Sequence, residues 1–211
     1  RGRDGEAAPP NEPESEARSS EESEGAGVEA DRWQRAFHVP TQREVLVRFD
    51  DGSGALRQNA ELRRRAILPG VAPVVVEALA SERPHLALAW QGPPLPRRLS
   101  TLRRDSSDLV LGWCREACLL LGGLAAQGLA LPDAALARFS ADESDRLWLV
   151  DLWLLRESAP SEALPAQLEL ARQLCRELLG SLEREVLSSA AHSALGAAQS
   201  FSALVAALSP R

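Results

Sequence analysis

Two aspartates stand where chemistry could be done. Asp151 closes the apolar run Leu147-Trp148-Leu149-Val150. A carboxylate at the end of an apolar strand can chelate a metal, cap the next segment or pair with an arginine. Asp133 follows Leu131-Pro132, and Pro-Asp in its plainest reading begins a turn or caps a short helix. Cys114 and Cys118 lie four apart on a predicted helix, with Cys175 elsewhere. They read either as a metal pair awaiting a distant histidine or as small buried core residues, and the second reading is adopted. His38, His85 and His192 have no ligand spacing, so no metal site is expected. There is no G-x-S-x-G, H-E-x-x-H or Walker pattern. The chain contains 24 Arg and no Lys, which removes P-loop and Schiff-base lysine chemistry at once.

Charge is unevenly placed. The net charge is −6. Residues 1–30 hold 9 Asp+Glu against 3 Arg, and the remaining residues hold 21 of each. Residues 1–24 are Glu, Ser, Pro and Ala with no aromatic or large aliphatic residue, so they read as a disordered acidic tail or linker. Residues 25–211 are long enough for one domain with a real core. A neutral body without a basic block argues against a nucleic-acid surface and a polybasic membrane anchor. No uninterrupted apolar run is long enough to span a membrane, and no signal peptide is read. Three cysteines without a framework fit a reducing, cytoplasmic compartment.

The elements that must position these residues follow from pattern. Glu44–Phe49 reads as a strand ending at the turn Asp50–Gly54. A helix is predicted over Leu56–Leu68, stopped by Pro69-Gly70, with Arg63-Arg64-Arg65 as a solvated face able to hold the acidic tail. Pro73–Leu79 and His85–Trp90 read as an antiparallel pair. Gln91-Gly92-Pro93-Pro94-Leu95-Pro96 reads as a rigid extended connection. After it come a long helix over Ser107–Gln127, short strands around Leu136–Ser140 and Leu147–Val150, and helices over Pro165–Leu179, Glu183–Ala191 and Phe201–Leu208.

This order resembles a bacterial protein kinase of the eukaryotic-like Ser/Thr class. The resemblance is carried by four stretches: Arg35–Arg48, Leu68–Val74, Leu86–Gly92 and Gly128–Trp153. It implies an α+β, compact two-lobed protein-kinase-like fold. A small antiparallel-sheet N-lobe would occupy about 25–90, a hinge 91–96 and a reduced helical C-lobe 97–211. On this likeness the third-strand lysine position is Arg48 and the C-helix Glu position is Asn59, with Glu61 close by. The catalytic-loop Asp is matched by Asp133, its lysine by Ala135 and its metal-binding Asn by Arg138. The D-F-G segment is Asp151-Leu152-Trp153. In the phosphate-covering loop, Gly25 and Gly27 are followed by Asp31 where the last glycine belongs. An arginine does not replace a point ammonium cleanly, and a cation at Arg138 would occupy the metal site and pair with Asp151. Trp153 replaces the glycine that lets the segment reverse, and 11 residues separate it from the next predicted helix.

The resemblance therefore implies a catalytically inactive kinase-like (pseudokinase) domain. Its vestigial positions are Asp133, Arg48, Asn59 and Ala135 for catalysis and Asp151 and Arg138 for metal. No ATP, Mg²⁺ or other cofactor is expected, and an unidentified protein is the expected partner. Two rivals remain. One is an atypical ATP-dependent kinase using Asp133 and Asp151, with Arg48 holding phosphate. The other is an unrelated α+β structural interaction domain.

Overall fold

The computed structural model describes residues 33–102, 106–180 and 195–208. The tail, Gly25, Gly27, Asp31, His192 and the helix expected over Glu183–Ala191 lie outside the described residues. What is described is a mixed α+β chain built on a four-stranded antiparallel sheet and several helices.

Four strands form that sheet: β1 (Gln34–His38), β2 (Arg43–Phe49), β3 (Val74–Ala78) and β4 (His85–Ala89), in the order β1-β2-β4-β3. The Val-rich run of β2 places Leu46 opposite Leu88 and Arg48 opposite Leu86, so these four side chains share one face. Helix α1 (Ala55–Arg65) lays Leu56 and Ala60 on the same apolar cluster. It stops three residues short of the predicted end. Ala66 already has a non-helical backbone, and Leu68 precedes a proline, which disfavours helical geometry. The predicted antiparallel pairing of β3 with β4 is present.

The connection after β4 is shorter than expected. Leu95 and Pro96 belong to a short helix, α2 (Leu95–Leu99), because a proline in a first helical turn forfeits no bond that would have formed. Gly92 has φ +88°, and a Cβ there would lie 2.2 Å from the Ala141 carbonyl oxygen. Only glycine tolerates both the conformation and the approach.

The rest is mainly helical. Helix α3 (Ser107–Ala126) packs along α4 (Pro160–Gly180), with α5 (Phe201–Ala207) against α3. Trp113, Leu121, Leu124, Leu174 and Leu178 fill the interior between them. Helix α4 begins five residues before its predicted start, so Pro165 lies inside it. The bond it forfeits is to the carbonyl of Ser161, an exposed residue of the first turn where water can serve instead. Between α3 and α4 run β5 (Leu129–Ala130), β6 (Phe139–Ala141), β7 (Leu147–Leu149) and β8 (Arg156–Glu157). β6 pairs with β7 and β5 with β8. β7 also bonds across to the sheet half: Leu149 N–H donates to Gly70 O at 2.7 Å, and Ala72 N–H donates to Leu149 O at 3.0 Å.

Among the described residues, α3 is the one helix whose length and composition would pass for a membrane span. Half of its apolar window is buried inside the molecule, as a core helix requires.

Candidate functional site

The predicted site residues converge where α1, β2 and the segment after β7 meet. Arg48 sits neither on an edge strand nor at the surface. β2 runs between β1 and β4, and Arg48 is 3 % exposed. Its guanidinium carbon lies 3.2 Å from the centroid of the Trp153 ring and 5.9 Å from that of Trp33. A desolvated cation on an indole face gains about 2 kcal/mol. Trp153 therefore gives Arg48 a ring to stack on.

Asn59 is buried, while Glu61 faces solvent. Asn59 Nδ2 donates to the Leu152 carbonyl at 2.5 Å. One turn later, Arg63 Nη2 donates to the Val150 carbonyl at 2.9 Å and to that of Ala72 at 3.1 Å. Helix α1 thus grips alternate carbonyls on either side of Asp151. The Arg63–Arg65 run is not one solvated face. Arg63 is buried, Arg64 pairs with Glu77 and Arg65 with Glu157. Burial lowers the Arg63 pKa to about 10, while the nearby charge of Asp151 works the other way. Its Nε and Nη1 are buried without a hydrogen-bond partner. Sequence reasoning missed Arg63, although a signal existed. Leu56, Asn59, Ala60 and Arg63 follow the i, i+3, i+4, i+7 stripe of a buried helix face.

Arg138 is the centre of the site. A three-residue 3₁₀ turn over Leu136–Arg138 delivers it to β6, and it is 3 % exposed. Its Nε and Nη2 each donate to one oxygen of Asp133 at 2.7 Å. Its Nη1 donates to the Trp153 carbonyl at 3.0 Å and reaches Asp151 Oδ2 at 3.5 Å. The expected Arg138–Asp151 pair is present but long, and the bidentate partner is Asp133. Asp151 Oδ1 accepts from the Trp153 N–H at 2.9 Å and from Trp33 Nε1 at 3.2 Å.

Asp133 also accepts from the Ala135 N–H at 3.1 Å, so its plain reading as a turn residue holds alongside the ion pair. Ala135 brings its backbone alone to the site, that N–H and a carbonyl that accepts from the Arg138 N–H at 3.0 Å. The Arg138 hydrogen bonds hold the Asp133 carboxyl below its ordinary value, against a smaller opposing effect of burial. A carboxylate so held is a poor proton acceptor. The guanidinium also places one positive charge between two carboxylates, half of what a divalent ion would bring.

The segment after Asp151 is tighter than predicted. Leu152–Leu155 is a turn closed by Leu155 N–H to Leu152 O at 3.0 Å, with Leu154 at φ +66°. Six residues, not 11, separate Trp153 from α4. Elsewhere, Cys114, Cys118 and Cys175 are buried free thiols, and Cys118 and Cys175 lie Sγ to Sγ at 3.7 Å. Mutual hydrogen bonding and burial raise the pKa of Cys118, and a bond to Cys114 with burial raises that of Cys175. His38 bonds Thr41 and His85 the Arg83 carbonyl. Among the described residues no three His, Cys, Asp or Glu side chains gather as a metal site.

No protein-family model matches the chain, and no curated protein matches it either.

Proposed function

We propose that the chain is a kinase-like domain that does not transfer phosphate and acts as a protein-binding or regulatory module. The observation that carries this reading is the double occupation of the site. Arg138 lies bidentate on Asp133 and reaches Asp151, where a kinase would need its metal. Arg48 is stacked on Trp153, where the matching lysine would hold phosphates.

Three further features support the kinase-like assignment. The sheet order β1-β2-β4-β3 suits a kinase small lobe lacking its first strand. Helix α1 falls between the second and third of these strands, and a short connection follows β4. The six-residue segment after Trp153 leaves little platform for a peptide substrate.

The test is titration with a fluorescent ATP analogue, with and without Mg²⁺. No Mg²⁺-dependent binding is expected. Micromolar, Mg²⁺-dependent binding with phosphate transfer to any substrate would refute the reading and favour the atypical kinase.

A further inference from the structure

Trp33 is held by contacts that read the chemistry of its ring. It lies one residue before β1, half-buried against the cluster under the sheet. One π-face is turned to the Arg48 guanidinium, whose carbon is 5.9 Å from the ring centroid. The ring N–H donates to Asp151 Oδ1 at 3.2 Å. Both partners are set from behind. Arg48 rests on Trp153, and Asp151 is fixed by the Trp153 N–H and approached by Arg138. Each therefore has a contact that does not involve Trp33.

We infer that the space filled by Trp33 is a binding site for a planar heteroaromatic ring bearing an N–H donor, of which indole is the simplest case, and that the chain occupies it with its own residue. The inference does not rest on the kinase-like reading. The site makes two demands: a π-face for a fixed cation and a donor for a fixed carboxylate. A phenyl ring meets only the first. A cationic ligand meets the second but is repelled by Arg48. An anionic one is repelled by Asp151. An indole meets both, and in the parent protein Trp33 already does so from within the chain, which blocks an added ring.

The test uses the full chain carrying Trp33→Gly, with free indole as probe and 1-methylindole, which lacks the N–H, as control. Binding is read by calorimetry and by the thermal midpoint. Indole is expected to bind the variant and raise its midpoint. 1-Methylindole is expected to bind about tenfold more weakly, the worth of one hydrogen bond to a charged acceptor. The parent protein is expected to show no such rise. If the variant is unfolded alone, saturating indole is expected to restore its circular dichroism and 1-methylindole is not. Equal binding of the two probes, binding of neither, an equal response of the parent, or no recovery of an unfolded variant would each overturn the inference.

Discussion

Two seams hold this molecule, and they use opposite chemistry. Between α3 and α4 the contact is dry: leucines, Trp113 and three buried thiols. Between α1, β2 and the segment around Asp151 the contact buries three guanidiniums, those of Arg48, Arg63 and Arg138. The first seam is non-directional, since its strength follows the apolar area removed from water. The second depends on each hydrogen bond, because a buried cation costs free energy unless paired. Fold and candidate site are thereby divided between the seams. One holds the helices together, while the other fixes which groups face each other at the candidate site.

The comparison can be broken most directly at its extremes. Leu121→Ala in the dry seam is expected to cost about 4 kcal/mol, as a fully buried leucine does, with no pH dependence of its own. Arg138→Met is expected to cost about 3 kcal/mol by leaving Asp151 and Asp133 without their cation. Urea denaturation of both variants measures the two losses. An Arg138→Met variant as stable as the parent would mean the charged seam is not held by its pairs.

A pH series sharpens the same contrast. Asp133 has its folded pKa lowered by Arg138, so the unfolded chain takes up this proton more readily. The contribution is complete above the ordinary carboxyl range and is lost as pH falls through the lowered folded value. Urea midpoints between about pH 6 and pH 3 are expected to fall less steeply for Arg138→Met than for the parent. Equal slopes would remove Asp133 from the account.

Smaller still is the effect at the exposed turn after Trp153. Leu154→Gly is expected to stabilise by about 0.5 kcal/mol, the relief of a left-handed leucine less the added freedom of the unfolded chain. A thermal melt checks the sign.

The dry seam was the easier to read in sequence. The long helix α3 and the buried thiols both follow from residue type. So do β2 and the β3–β4 pair, whose apolar runs are bounded by clear turns. The charged seam was read only in part. Asp133, Arg138 and Asp151 were singled out, but which carboxylate would take the bidentate contact depended on the 3₁₀ turn that aims Arg138. Arg63 was lost inside a run of three like residues, because successive helical positions point about 100° apart. A run is therefore never one face. Trp33 carries no local signal in the sequence, because its partner Asp151 is 118 positions away.

Gly92 has a mechanical consequence. Its backbone presses against Ala141, Pro94 bridges Ser140, and Ala141 N–H reaches back to Pro93 O at 3.4 Å. The link between the sheet and the helices is thus riveted to the β6–β7 hairpin along its length. Such a link works as a strut and not as a pivot. A load passing along this link reaches the hairpin that follows Arg138.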